Sequence, residues 1–385
     1  MTIALSWLVG LTASLPVLWL ATELMLGARA LPGPLPPGAA PPFAVLIPAH
    51  DEAAVIAGTV SAVRAALRPC DRVLVVADHC RDATAELARR ADATVVERDG
   101  SPDRGKGHAL AFGRTALCRD PRGVVIVLDA DCRPVPGALA RLALVAARRG
   151  AAVQGAYRLV PPPGASAMVR VSCFAFLLKN GPRQAALQRL SGRALLQGSG
   201  MAFPWPVFES MPLASSSLVE DLELGLRLLL RGRTVAFDAG AVIESPAASQ
   251  AATVGQRRRW EHGATATGLR YAPRLLAAGL SGRPGLLAVA ADLLVPPTVA
   301  LATAASIAWI LLLAAGGLSA PTLVLGASLG LLGAALTRAW LALGREMLPA
   351  RMLLHLPGYF WWKLPIAARF FFRRETAWVR TSRES

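Results

Sequence analysis

Acidic side chains directly follow three apolar runs in the first half of the chain. Glu52, Asp78 and the pair Asp129 and Asp131 each stand at the end of a segment rich in Val, Ile and Leu. Two carboxylates at alternate positions offer hard oxygen ligands, which suit Mg²⁺ or Mn²⁺ on a diphosphate. A helix cap ahead of Pro134 would explain Asp131 equally well. The Asp-x-Asp pair alone leaves both interpretations open.

Three further patterns follow in the second half. Gly198-Ser199-Gly200 is a turn of small residues, where backbone can approach a ligand closely or simply turn tightly. Glu220 and Asp221 open an amphipathic helical segment, a position that the helix dipole alone would favour. Gln256 to Trp260 places three arginines beside a tryptophan, which would also suit a membrane surface.

The segment from Gly100 to Lys106 matches part of a phosphate-binding P-loop. Gly107 stands where that motif requires Ser or Thr for magnesium, so an ATPase or kinase is disfavoured. We expect Lys106 to project towards a bound ligand or to be solvated.

The chain has five cysteines and no CxxC pair, which indicates a reducing compartment without a disulfide framework. A zinc site from four of its thiol and imidazole residues stays open, although their spacing is not typical of ligands and favours packing. These residues are His79, Cys80, His108 and Cys132.

Strand-like and helix-like segments alternate between Pro42 and Gly155, which predicts an α/β domain with a mainly parallel sheet. Ligands of such sheets lie beyond the carboxyl ends of the strands. The expected strands are 43–47, 72–77, 93–96 and 123–128, and the expected helices are 52–67, 83–90, 108–117 and 137–147.

Composition indicates a soluble domain combined with a few membrane segments. The 385-residue chain is 54% hydrophobic and 17% charged. Thr2–Thr22 carries no charge and is long enough to span a bilayer, and the absence of basic residues before it argues against a signal peptide. Leu293–Leu318 and Thr322–Leu343 predict a transmembrane hairpin, whereas aromatic-rich Met352–Phe372 is typical of an interfacial helix.

The net charge of +16 is explained by basic flanks of the membrane segments rather than by nucleic-acid binding, since no basic stripe with interleaved aromatics occurs in the middle domain. By the positive-inside rule we expect the catalytic domain to be cytoplasmic, at an inner or plasma membrane of bacterial type. The basic residues that set this orientation are Arg29, Arg338, Arg345, Arg373, Arg374, Arg380 and Arg383.

These segments divide the chain into five expected parts. They are an N-terminal transmembrane helix (1–30), a Pro/Gly linker (31–42), a catalytic domain (43–280, with a donor half 43–155 and an acceptor half 156–280), a transmembrane hairpin (281–345) and an interfacial helix with a basic tail (346–385).

The ordered set of motifs resembles the family 2 glycosyltransferases of GT-A fold, in particular the membrane branch that includes cellulose, chitin and hyaluronan synthases. The resemblance covers roughly 45–263 and extends to the arrangement of the flanking helices. The residues that carry it are Ile47-Pro48 with Glu52, Asp78 with Asp82, Gly105-Lys106-Gly107, Asp129-Ala130-Asp131, Gly198-Ser199-Gly200, Glu220-Asp221 and Gln256 with Arg259-Trp260.

This resemblance implies a nucleotide-sugar donor, expected to be a UDP-sugar, and a divalent ion (Mg²⁺ or Mn²⁺). It assigns donor binding to Pro48, Glu52, Asp78, Lys106 and Asp129, metal binding to Asp131, and general base catalysis to Asp221. It assigns diphosphate and acceptor contacts to Gly198, Ser199, Gly200, Glu220, Gln256, Arg259 and Trp260.

The chain departs from the family pattern at positions that bear on donor-base specificity. Ala77 replaces the first acid of an Asp-Asp pair, and His79-Cys80 replaces Gly-Ser. His50-Asp51 stands for Tyr-Asn, and Val219 for Thr. None of these changes removes a group that the chemistry requires.

The resemblance therefore predicts an inverting transferase that adds a sugar to a membrane-associated acceptor, either lipid-linked or a saccharide. A processive polysaccharide synthase is the alternative, disfavoured because three spans with few polar residues make a poor polymer channel. A non-catalytic membrane scaffold is a third possibility, against which the intact Asp131 and Asp221 argue.

Overall fold

The computed structural model describes residues 2–28, 33–215, 217, 219–248 and 250–359, and gives only the backbone for 250–259. The described residues form two compact units. The helical unit comprises those within 1–30, 161–191 and 249–376, and the sheet unit comprises those within 31–160 and 192–248. Segments 161–191 and 249–280, expected within one catalytic domain, thus group with the apolar helices.

The sheet has eight strands, with a parallel half and a mixed half. The strands are β1 Phe43–Ala49, β2 Arg72–Asp78, β3 Thr94–Arg98, β4 Val124–Val127, β5 Arg133–Pro134, β6 Ala152–Val160, β7 Met201–Pro204 and β8 Val235–Pro246. Their order is β3-β2-β1-β4-β7-β6-β8-β5. The first four are parallel, β7 is antiparallel to both of its neighbours, β6 is parallel to β8, and β5 is antiparallel to β8.

Thirteen α-helices occur among the described residues. They are α1 Ile3–Gly27, α2 Ile56–Arg64, α3 Thr84–Arg90, α4 Lys106–Leu117, α5 Ala138–Arg149, α6 Ala167–Asn180, α7 Pro182–Ser191, α8 Trp205–Glu209, α9 Glu220–Leu230, α10 Gln250–Leu280, α11 Gly285–Leu294, α12 Thr298–Gly316 and α13 Ala320–Ala339. A π-helical turn, Trp340–Gly344, continues α13, and a 3₁₀ turn covers Ala350–His355.

The predicted α/β fold is confirmed, because each expected strand forms and pairs as a parallel sheet requires. β1 and β4 lie at the centre with every residue but Pro48 buried, which explains their unbroken apolar sequence. The three strand ends that carry acidic residues therefore open at one edge of the parallel half.

The helix expected over 52–67 begins only at Ile56. The backbone N–H of Glu52 donates to Thr84 Oγ1 at 2.7 Å, and that of Ala53 donates to Asp82 Oδ2 at 3.1 Å. Side chains of the segment after β2 thus accept from the backbone of the turn that follows β1, and α2 begins after this turn.

Within the part of the chain that the structure describes, three helices are long and apolar enough to cross a membrane: Ile3–Gly27, Thr298–Gly316 and Ala320–Gly344. The expectation that the second would start at Leu293 was wrong. α11 ends at Leu294 and α12 begins at Thr298, because Pro296 and Pro297 lack the N–H groups that a continuous helix needs. The predicted interfacial helix over 352–372 lies mostly outside the described residues.

Candidate active site

Lys106 is the first residue of α4, and its ammonium group lies among groups from two other segments of the sheet unit. It forms an ion pair with Asp129, which follows β4, and donates to the carbonyl oxygen of Gly198 at 2.6 Å. Lys106 is therefore not solvated in the way that one interpretation of the sequence allowed.

Asp221 also lies beside Gly198. A Cβ atom built on Gly198 would come within 3.1 Å of Asp221 Oδ2 and 3.6 Å of Lys106 Nζ. Gly198 also has a φ of +95°, a conformation that favours glycine. The absence of a side chain there thus lets the carboxylate, the ammonium group and the turn backbone meet.

Charge and burial shift the pKa values of this cluster. Burial lowers the pKa of Lys106, but the charges of Asp129, Asp221 and Glu220 outweigh it, so the pKa rises and the side chain stays cationic. Burial raises the pKa of Asp129, and Lys106 opposes this rise. Burial and the neighbouring charge of Asp221 raise the pKa of Glu220 to about 7.

Asp131 does not cap a helix, because the chain continues into β5 and the next helix, α5, has Gly137 at its N-cap. Its Oδ2 accepts a hydrogen bond from Ser245 at 3.0 Å. Ligand atoms of Asp129, Asp131 and Cys132 lie within 4.8 Å of one another. Two carboxylates this close fit a hard divalent cation.

Cys132 is a poor ligand in this group. Burial, followed by the charges of Asp131 and Asp129, raises the pKa of its thiol well above the usual value, so the thiol stays protonated. Among the described residues, the four thiol and imidazole groups that might have bound zinc do not form a ligand group. Instead His79 contacts Asp78 and the carbonyl oxygen of Ser101, each at 2.8 Å.

The predicted donor-base residues lie at the ends of β1 and β2. Asp78 Oδ1 forms an ion pair with Arg98 at 3.1 Å and contacts the His79 ring, and all three side chains are nearly buried. Pro48 pairs with Val76 in the sheet. Asp78 ends β2 and Glu52 lies in the turn after β1, whereas Lys106, Asp129 and Asp221 meet near Gly198.

The Gln-x-x-Arg-Trp segment lies in α10, within the helical unit. The side chains of Gln256 and Arg259 lie outside the described residues. Trp260 packs against Phe176, with ring centroids 5.6 Å apart. The role of these three residues over the diphosphate stays a prediction.

Two residues that hold the site had no sequence signal. Gln154 on β6 is fully buried and donates to the carbonyl oxygens of Gly155 and Ser199, each at 2.8 Å, while its Oε1 accepts from the N–H of Gln197. It thereby holds the turn that presents Gly198. The second is Ser245, which no local pattern distinguishes from an ordinary strand residue.

Comparisons with known proteins show the family to which the chain belongs. A family model described as "Glycosyltransferase like family 2" matches residues 41–263, more than half of the 385-residue chain. No curated protein shows a significant match.

Two solved structures are similar to all or part of this chain. The mannosyltransferase PcManGT from Pyrobaculum calidifontis, in complex with GDP-Man and Mn²⁺, is 20% identical, with 95% of this chain and 96% of that chain covered and a TM-score of 0.56. Glucosyl-3-phosphoglycerate synthase from Mycobacterium tuberculosis, in complex with Mn²⁺, UDP and glucosyl-3-phosphoglycerate, is 22% identical over 54% of this chain and 71% of that chain, with a TM-score of 0.38. At 20% identity the likeness to PcManGT concerns the fold alone.

The extent of the family match, together with the acidic strand ends on a GT-A-like sheet, leads to one assignment: the chain belongs to glycosyltransferase-like family 2.

Proposed function

We propose that this protein is an inverting, metal-dependent glycosyltransferase of the membrane. It transfers a sugar from a nucleoside-diphosphate donor to a membrane-associated acceptor, lipid-linked or saccharide. The observation that carries the proposal is the convergence of Lys106, Asp129 and Asp221 around the side-chain-free position of Gly198.

The donor diphosphate is proposed to lie against Asp129, Asp131 and Lys106. Asp131, with Asp129 beside it, offers the hard oxygen ligands for Mg²⁺ or Mn²⁺, and such an ion, when bound, would neutralise charge on the departing diphosphate. Lys106 places a positive charge beside Asp129, which favours binding of the anionic donor and of the leaving group.

Asp221 is proposed to act as the general base. It removes the proton of the acceptor hydroxyl while that oxygen forms a bond to the anomeric carbon. The bond between that carbon and the phosphate oxygen breaks, and the nucleoside diphosphate leaves with the electron pair. A single displacement of this kind inverts the anomeric centre.

Several assignments from sequence remain proposals here. Pro48, Glu52 and Asp78 would bind the nucleotide base and ribose, with UDP as the expected nucleotide. Glu220, Ser199, Gly200, Gln256, Arg259 and Trp260 would contact the acceptor or the diphosphate. The division into a cytoplasmic catalytic domain, a transmembrane hairpin and a basic tail is likewise a proposal.

An Asp221→Asn variant tests the base assignment. It should bind UDP in the presence of Mn²⁺ with near wild-type affinity, measured by calorimetry, yet show at least a 10²-fold lower transfer rate, roughly the loss typical when a general base is removed. Asp92→Asn, a change at an exposed carboxylate, is the matched control. Near-normal transfer by the Asp221 variant would rule out the assignment.

A donor screen separates this proposal from its alternatives. Purified protein is incubated with radiolabelled UDP- and GDP-sugars, Mn²⁺ and a membrane extract. Single-sugar lipid products support transfer to a lipid-linked acceptor, and long products indicate a processive synthase. If the protein shows neither transfer nor metal-dependent donor hydrolysis with any donor, it is a non-catalytic scaffold.

A further inference from the structure

Asp131 is held by a residue from a distant part of the chain. Ser245, the next-to-last residue of β8, is 2% exposed, and its hydroxyl donates to Asp131 Oδ2 at 3.0 Å. More than a hundred residues separate the two in sequence, so the contact depends wholly on the sheet.

The short strand β5 produces this contact. Arg133 pairs with Glu244 in antiparallel register, and the N–H of Val135 donates to the carbonyl oxygen of Val242 at 3.0 Å. This pairing anchors the chain directly after Asp131 to the end of β8. Ser245 consequently lies opposite the Asp131 side chain.

The other carboxylate oxygen of Asp131 has a donor too. The N–H of Asp129 donates to Ser199 Oγ at 3.1 Å, and Ser199 donates to Cys132 Sγ at 3.1 Å. The Cys132 thiol in turn lies 3.5 Å from Asp131 Oδ1. Hydrogen-bond donors from two sides therefore fix the rotation of this carboxylate.

We propose that Ser245 is a positioning residue for divalent-metal binding by Asp131. The inference rests on the proposed function, because it takes Asp131 as the metal ligand. A carboxylate oriented by a buried hydroxyl binds the ion without first losing rotational freedom, and loss of such supporting hydrogen bonds weakens metal sites by about 10- to 100-fold.

The test is the affinity for Mn²⁺ itself, measured by electron paramagnetic resonance in the presence of UDP. Ser245→Ala should raise the Mn²⁺ dissociation constant about tenfold, while UDP binding in EDTA is unchanged. Ser245→Cys keeps the size of the side chain but donates weakly, so it should also weaken Mn²⁺ binding, and it carries the test if the alanine variant does not fold. The control is Ser210→Ala, whose exposed hydroxyl donates to the carbonyl oxygen of Val207 at 3.0 Å.

An Asp131→Asn variant separates the two possible failures. Wild-type Mn²⁺ affinity in a folded Ser245→Ala or Ser245→Cys variant, combined with loss of affinity in Asp131→Asn, overturns the role of Ser245 alone. Wild-type affinity in Asp131→Asn overturns the proposed metal site and the inference with it. If the cysteine variant binds Mn²⁺ like wild type while the alanine variant binds it weakly, the positioning role is likewise overturned, because side-chain packing alone would then explain the loss in the alanine variant.

Discussion

The ammonium group of Lys106 is ion-paired with the carboxylate of Asp129. Because Lys106 opens α4 and Asp129 follows β4, the pair joins the end of one loop to the carboxyl edge of the sheet. The same ammonium group binds the carbonyl oxygen of Gly198, so one cation holds together the strand end and the glycine turn on which the proposed chemistry depends.

Replacement of Lys106 by Met should lower the transfer rate by about 10²-fold, the loss expected when an electrostatic contact to a developing charge is removed. The variant leaves Asp129 without its cation and frees the carbonyl of Gly198. Steady-state rates at saturating donor measure the effect. Lys179→Met, at an exposed lysine of α6, should keep wild-type rates; a Lys106 variant that does so as well would contradict the role of the ion pair.

A Gly198→Ala change should reduce the turnover number more than it reduces stability. The added Cβ would lie 3.1 Å from Asp221 Oδ2, so the proposed base must shift. Gly192→Ala is the matched control: its φ is +68°, and a Cβ there meets nothing within 4 Å. Both variants carry backbone strain, but only the first crowds the site. Equal activity of the two in an assay of transfer would show that strain alone matters.

Because of Glu220, the free energy of unfolding should fall as pH rises. Its pKa is raised from 4.5 to about 7 in the folded protein, so between these values the folded state holds a proton that the unfolded state has lost. The stabilisation from protonated Glu220 is complete below the pKa of this group in the unfolded chain, 4.5. It disappears as pH rises through its pKa in the folded protein, about 7. Thermal unfolding in EDTA from pH 5 to about pH 8 measures it.

A Glu220→Gln variant should flatten this pH dependence, because the amide does not titrate. Glu86→Gln, at an exposed glutamate of α3, should keep the wild-type slope. Parallel unfolding curves for wild type and the Glu220 variant would show that the carboxyl does not carry the shift.

Arg183 should be essential for the stability of the helical unit. It donates to Glu23 at 2.9 Å and to Asp292 at 2.6 Å, and Glu23 is fully buried. Arg183→Leu leaves two carboxylates in a buried site without their cation, which costs about 3–5 kcal/mol in comparable pairs. Thermal unfolding in detergent measures the loss.

Arg189→Leu provides the control for this change. Arg189 lies on the same helix, is exposed, and binds the carbonyl oxygen of Leu26. Its loss should shift the unfolding temperature only slightly, since exposed polar contacts contribute little. Equal shifts in the unfolding temperature of the two variants would contradict a particular role of the three buried charges in stability.

Labelling of native cysteines tests the proposed cytoplasmic location of the sheet unit. Cys70 and Cys118 are exposed in the sheet unit. A membrane-impermeant maleimide should label them in inverted vesicles but not in intact right-side-out vesicles, because the positive-inside rule places this unit in the cytoplasm. A Cys70→Ser/Cys118→Ser variant sets the background. Labelling of right-side-out vesicles would reverse the topology.

Local sequence determined the elements of this fold and the chemistry at their ends. Continuous apolar runs predicted β1, β2 and β4, and the Asp-x-Asp pair marked the carboxyl edge, because strand burial and acidic ends are properties of neighbouring residues. Local sequence also predicted the helices that are long and apolar enough to cross a membrane. It did not predict the break at Pro296 and Pro297.

Tertiary structure alone decided which groups meet. The pairing of Lys106 with Asp129, the approach of Asp221 to Gly198 and the hydrogen bond from Ser245 to Asp131 each join residues far apart in the chain. Strand order and register set these contacts, and neither is encoded by spacing within a single segment.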